Sequence, residues 1–511
     1  MKKAFTASVV ALLLNSVFIF AQSKPEGSEK DFAAAFDVSV RKTIETVHDI
    51  PGIAIVVIKG DKPIFLRAYG MADKEAGVKA DVDTLFYIAS SNKAFTALAA
   101  AMLDKERKIL LADPLTKYTT GILFKTPVPD KITVRDLLTH TSGLRNEALI
   151  HRTAFSGQID KAEIARVFAD GTTFDEANFG KFRYTNLGYN IYGLLLEYHL
   201  KLKWQDALQQ RIFDPAGLKH TTAYISHAPA NKWSVAAPYV FDSQAGRMVR
   251  SVLNKTDNNM QAAGGMFMSI SDLGKWLNLN MNGGKLNGEQ VMPADLIQAA
   301  HTGYTKSARN EAPFTGDGEY GLGWQIGKYR NEKVIYHHGD YPGYRSHVSF
   351  MPDKGLAVGV LVNNDLAGGR AAHVLAAYAY DWWLGTPDLE ADYAKQLQEF
   401  ADIYARRKQL SIADAAERAK RQSQLTQPLA DYVGKYTNEL LGTIEVTVDG
   451  NSLGVRLGNL YCQSTPYTEK DTIRVVMVPG GNGEVVGFLK GATGKFDLLK
   501  YAGRDFKRVG L

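Results

Sequence analysis

Ser90 and Lys93 stand three residues apart in the stretch Thr84 to Ala97, where a strand-like run turns into a helix. On a helix that spacing stacks the two side chains on one face. A hydroxyl is a poor nucleophile until its proton is taken, and a lysine amine takes it only where burial or a nearby cation keeps the amine neutral. The pair is therefore a candidate for covalent catalysis. Ser39 and Lys42 have the same spacing, but their run (Phe32, Phe36, Val40, Ile44, Val47) reads as an amphipathic surface helix. Ser90 is followed instead by Ala94, Phe95, Ala97, Leu98, Ala99, Ala100, Ala101 and Met102, apolar nearly all round. That pattern predicts a helix in the centre of a domain, with the nucleophile held at its positive end.

Several elements must position this helix. Gly52 to Lys59, a turn at Gly60-Asp61-Lys62, and Pro63 to Tyr69 read as a β-hairpin just before it. Far downstream, Val334 to His337, His347 to Met351 and Gly355 to Val362 read as strands, and Arg370 to Leu384 as a helix. Strands at both ends with helices between them predict a sheet assembled from distant segments and an all-helical insert. From Leu389 to about Gln424 the spacing of Leu389, Tyr393, Leu397, Phe400 and Tyr404 indicates a helical connector. Beyond Pro428, short alternating strands (442–448, 452–457, 472–478, 485–489, 496–501) separated by Asp449-Gly450 and Pro479-Gly480-Gly481 predict a small antiparallel barrel or sandwich.

Further stretches follow in order: Lys131 to Arg145 with Leu138-Thr139-His140-Thr141-Ser142-Gly143, Tyr184-Thr185-Asn186, Gly264-Gly265-Met266 with Ser269 to Leu273, Tyr320-Gly321-Leu322-Gly323-Trp324, and His337-His338-Gly339-Asp340 ahead of a strand. Together with Ser90 and Lys93, this series resembles the serine hydrolases related to class C β-lactamases, penicillin-binding DD-peptidases and β-lactamase-like esterases, over roughly residues 35 to 385. Order separates these segments from decoys such as Tyr436-Thr437-Asn438, Tyr329-Arg330-Asn331 and His301-Thr302-Gly303. Gly316 to Gly321 fits Gly-x-Gly-x-x-Gly but has neither a strand before it nor a helix after it, and reads as a loop.

The resemblance implies an α/β fold of two lobes, an antiparallel sheet flanked by helices plus an all-helical lobe, with a lipocalin-like β-barrel appended. The expected organisation is 1–21 signal peptide, 22–388 hydrolase, 389–428 connector and 429–511 barrel. It implies that Ser90 forms an acyl-enzyme, that Lys93 and Tyr184 share proton transfer, and that Asn186 orients Lys93 and the substrate amide. His337, Gly339 and Asp340 would line the substrate site, with the Ser90 and Asp340 N–H groups as oxyanion hole. No metal or organic cofactor is required. His140 is kept as a structural turn residue, and His338 is left unassigned.

Two departures bear on the substrate. His337 replaces the lysine common in the third motif, and an ordinary histidine, with a pKa of about 6.5, is mostly neutral at pH 7. Asp340 adds a negative charge, which Arg370 would offset. An ester or peptide amide, D-amino-acid amides included, is therefore expected ahead of a β-lactam. The alternatives are a β-lactamase or D-Ala-D-Ala carboxypeptidase, and a penicillin-binding sensor that acylates without turnover.

Composition narrows the rest. A net charge of +6 spread over 511 residues argues against nucleic acid as a partner. Lys2, Lys3, the apolar run Val9 to Phe20 and Ala21 read as a signal peptide, hence a periplasmic or secreted protein without a membrane span in the mature chain. Cys462 is the only cysteine, so no internal disulfide and no cysteine-based zinc site are expected. The expected partner is a small-molecule or peptide acyl substrate. Oligomeric state is not legible.

Overall fold

Gly52–Lys59 (β1) is apolar at nearly every position and buried along its length, the pattern of a strand covered on both faces. In the computed structural model, which describes residues 28–307, 313–492 and 494–510, it lies inside a nine-stranded antiparallel sheet. The leader expected at 1–21 lies outside the described residues. β1 pairs with Lys62–Asp73 (β2), which pairs in turn with Val78–Lys79 (β3). The remaining strands come from the far end of the unit: Thr305–Ser307 (β4), Thr315–Tyr320 (β5), Gln325–Tyr329 (β6), Glu332–Tyr341 (β7), Tyr344–Met351 (β8) and Leu356–Val362 (β9). Their order is β4-β5-β6-β7-β8-β9-β1-β2-β3. The β1–β9 ladder, with Val57 opposite Val358, joins segments about three hundred residues apart.

Helices cover both faces. Glu29–Val47 (α1) begins at a capping box between Ser28 and Asp31. Lys93–Lys105 (α2), Leu187–Leu200 (α3) and Ile270–Met281 (α4) belong to a core on one side of the sheet. On the other side, α1 and Gly368–Leu384 (α5) are joined by Tyr393, Leu397, Phe400 and Tyr404 of Leu389–Ala419 (α6). α2 is the buried helix its composition predicts, with Ala94 to Ala101 inaccessible on every face.

Three details differ from the sequence reading. The insert is not all helical: Phe86–Tyr87, Phe267–Met268 and Thr221–Thr222 form a small sheet, whose two-residue strands are too short to show alternation. Gly316 to Tyr320 lies in β5 and is not a loop; its register against β6 slips between Thr315 and Glu319, an irregularity that glycines permit. The hairpin of β7 and β8 is continuous through Tyr341 and Tyr344, so the third motif sits within a strand.

After α6 the chain forms a second antiparallel sheet of nine strands, nearly closed into a barrel, from Gly434 to Val509. Tyr432, Tyr436, Phe488 and Phe496 fill it. The barrel leans on the insert through buried Arg152, which donates to Gln158 O at 2.6 Å and to Leu440 O at 3.2 Å. Gln158 adds paired bonds to the Thr443 backbone, both at 2.9 Å. Among the described residues, no helix is long and apolar enough to cross a membrane.

Candidate active site

A single 3-10 turn, Ala89–Asn92, carries Ser90 into α2. Ala89 has φ +46°, a left-handed conformation costing about 1–3 kcal/mol in a non-glycine residue. Its surroundings over-determine it. Ile88 N–H donates to Met266 O at 3.0 Å, Ser346 Oγ donates to Ile88 O at 2.7 Å, and Ser91 Oγ lies 2.8 Å from Ser346 Oγ. Gly323, at φ +79°, presses on the first turn of α2: a Cβ there would sit 2.5 Å from Ala94 Cα. The Tyr320 to Trp324 motif is thus the seat of the nucleophile helix.

Lys93 is fully buried. Its Nζ donates to Ser90 Oγ at 3.0 Å, Asn186 Oδ1 at 2.8 Å and Ala263 O at 2.7 Å. An ammonium has three donors and satisfies all three oxygens. A neutral amine keeps the bonds to Asn186 and Ala263 and turns its lone pair on the Ser90 proton. The same three positions therefore serve both protonation states, as a group that takes and returns a proton requires. Asn186 is fixed as the residue that opens α3.

Tyr184 lines the cavity beside Ser90 and Asn186, with Lys93 Nζ 4.9 Å from its ring centroid. His140 has a larger part than a turn residue: its ring lies 4.6 Å from that of Tyr184, and its Nδ1 accepts the Thr185 N–H at 3.3 Å. Tyr320 packs against His140 at 4.7 Å, so the Tyr184 ring is held from behind by two motifs. His337 is buried, with Nδ1 2.8 Å from His338 O and Nε2 3.5 Å from the Tyr320 hydroxyl. The backbone bond makes Nδ1 the protonated nitrogen and leaves Nε2 as acceptor.

Pairing between β6 and β7 stops at Gln325 and Tyr336, so the backbone of β7 beyond it borders the cavity. That cavity, about 350 Å³, includes Ser90, Tyr184, Asn186, Gly339, Asp340 and Arg345 in its lining. Gly339 is required by contact: a Cβ would lie 2.0 Å from Ile88 O and 2.3 Å from Ser346 Oγ. Gly339→Ala is expected to push β7 off the Ser90 turn and lower kcat/KM about 100-fold, the usual cost of a displacement near 1 Å, in steady-state assays.

The charges differ from those read in the sequence. Asp340 is ion-paired with Arg345 at 2.6 Å, so it does not present an uncompensated negative charge. Arg370 is exposed, and the neighbours α5 contributes to the cavity are Gly369, Ala372 and His373. The cation that lines the cavity is Arg345. Nearby, burial pushes the Asp365 carboxyl up to about 6 against the pull of Arg345. A Cβ on Gly480 of the barrel would lie 2.5 Å from Asp365 Oδ2, which places the barrel's 479–481 turn beside this rim. The folded state then binds the Asp365 proton more tightly than the unfolded chain, so this residue lowers stability as pH rises from about 4 to 6. Asp365→Asn should raise the melting temperature more at pH 8 than at pH 4.

Comparison with known proteins identifies the family and the fold. The family pattern described as Beta-lactamase matches residues 40–381. An unguisins hydrolase of Aspergillus campestris is 25% identical over 393 residues, covering 74% of this chain and 70% of its own. Protein flp of Staphylococcus aureus is 23% identical, covering 65% of this chain and 63% of its own. The octameric penicillin-binding protein homologue from Pyrococcus abyssi superposes with a TM-score of 0.59 at 23% identity, over 93% of this chain and 99% of that one. With the match running from within α1 into the last turn of α5 and the sheet and helices arranged as in that homologue, the chain belongs to the beta-lactamase family, whose members are generally serine hydrolases.

Proposed function

We propose that the protein is an exported serine acyl-hydrolase that cleaves an ester or a peptide amide through an acyl-enzyme on Ser90. The observation that carries this is the Lys93 Nζ to Ser90 Oγ contact at 3.0 Å, made by a buried amine that also donates to two neutral oxygens, Asn186 Oδ1 and Ala263 O. Ser90 Oγ attacks the acyl carbon as Lys93 takes its proton. Tyr184 delivers a proton to the departing alkoxide or amine and is reprotonated by the Lys93 ammonium, and water then releases the acid. The N–H groups of Ser90 and Asp340 serve the oxyanion, where one donor is typically worth about 2.7–4 kcal/mol.

Substrate preference follows from charge. The third motif carries His337 where a lysine would hold a carboxylate, and Arg345, the cation that lines the cavity, is already engaged by Asp340. A carboxylate-bearing β-lactam gains little there, which favours esters and peptides, D-amino-acid amides among them. The relative named as an unguisins hydrolase supports hydrolysis as the outcome. The test compares a short p-nitrophenyl ester with nitrocefin on the purified protein, with intact mass followed over time. Higher efficiency on the ester and a short-lived adduct are expected. Preference for nitrocefin would make it a β-lactamase, and an adduct lasting hours a penicillin-binding sensor.

A further inference from the structure

We propose that His338, His347 and His373 form a binding site for one divalent late transition-metal ion, zinc foremost, on the face of β7 opposite to His337. His338 and His347 are directly opposite each other in the β7–β8 ladder, so their side chains share a face. α5 packs on that face and brings His373 to them. The ring centroids are 4.9, 4.5 and 5.6 Å apart, and one ligand nitrogen from each histidine lies within 4.8 Å of the others.

His347 supplies a second, independent observation. It is fully buried, and its Nε2 lies 2.7 Å from Ser349 Oγ, which is 2.8 Å from the Tyr380 hydroxyl. Its Nδ1 is buried without a hydrogen-bond partner. If Nδ1 carried the proton, a donor would be buried with no acceptor. With the proton on Nε2, donated to Ser349, a lone pair is left facing no donor. A buried polar atom left unsatisfied is destabilising, and a metal ion removes the deficit in the second tautomer. An imidazole fixed by a hydrogen bond on its outer nitrogen is also the usual arrangement of a metal-ligating histidine.

The donor set selects the ion. Three imidazoles without a carboxylate or thiolate suit zinc, copper or nickel and not magnesium or calcium. Metal–nitrogen bonds of about 2.0–2.1 Å in a tetrahedron place the nitrogens about 3.3 Å apart, so nitrogens now up to 4.8 Å apart must close by up to about 1.5 Å. His338 and His373 are only partly buried and line the same cavity as Ser90, which gives an entry path and a fourth position open to water. Phe314, with its ring 5.3 Å from that of His347, forms an apolar wall. A bound ion would clamp β7, β8 and α5 together directly behind Gly339.

The test uses the purified, tag-free protein stripped with a chelator and titrated with zinc against a chromogenic indicator, then with cobalt for its visible spectrum. One equivalent bound at about 1 µM or tighter, cobalt bands of a nitrogen-ligated site, and a higher melting temperature with zinc are expected. His338→Gln and His373→Gln should each weaken binding at least about tenfold while Ser90 remains reactive to a fluorophosphonate. Failure of the wild type to bind an equivalent below about 100 µM would overturn the site. So would variants, shown folded by circular dichroism, that bind as tightly as the wild type, since the ion would then sit elsewhere. If one variant does not fold, the other and the wild-type titration decide.

Discussion

Ser90→Ala will abolish fluorophosphonate labelling and lower kcat/KM by about four to six orders of magnitude, the range seen when a member of a nucleophile–base pair is removed. Lys93→Met should fall nearly as far, because it removes the amine whose Nζ lies 3.0 Å from Ser90 Oγ. The double variant should be no worse than the worse single one, since two groups acting on the same proton transfer are lost together. Stability separates the two. Ser90→Ala should leave the melting temperature unchanged. Lys93→Met strands Asn186 Oδ1 and Ala263 O without their donor in a buried site, at about 1–3 kcal/mol each, and should melt lower. Ser90→Ala retaining more than a hundredth of wild-type activity would falsify the assignment of the nucleophile.

What could be read before the structure was what is local in the chain. Ser90 and Lys93 lie one helical turn apart, and the apolar run of α2 shows on its own that they open a buried helix. The strands β1 and β9 are equally plain, because both are apolar at consecutive positions. Residues whose meaning depends on register were not readable. Arg345 neutralises Asp340 because the two sit opposite each other across a hairpin, and Tyr341-Pro342-Gly343-Tyr344 was the turn signal that would have shown it. Without that pairing, Arg370 is the cation the sequence suggests, and it is exposed and outside the cavity lining. His140 reads as a turn residue in the sequence because its partners Tyr184 and Tyr320 are reached only through folding. The three histidines at 338, 347 and 373 share no spacing that any single element explains. One strand pairing and one helix docking bring them together.

Tyr184→Phe keeps the ring that His140 and His337 pack against and removes only the hydroxyl, so it isolates the phenol's part in proton transfer. On an amide, whose amine must be protonated to leave, kcat/KM is expected to fall about 10²–10⁴-fold, the ordinary range for one general acid or base. On an ester of a strongly acidic phenol, the leaving group departs as an anion and needs no proton. If Tyr184 is the acid and Lys93 the base, the loss on that ester should shrink to a few-fold. Lys93→Met should still suffer nearly its full loss on both substrates, because the serine proton must be taken whatever the leaving group is. If Tyr184→Phe loses equally on amide and activated ester, the phenol is removing the serine proton itself, and Lys93 acts by holding the phenol and Asn186 in place. The ratio of the two losses therefore assigns base and acid between groups that share one cluster, which the 4.9 Å between Lys93 Nζ and the Tyr184 ring does not do by distance alone.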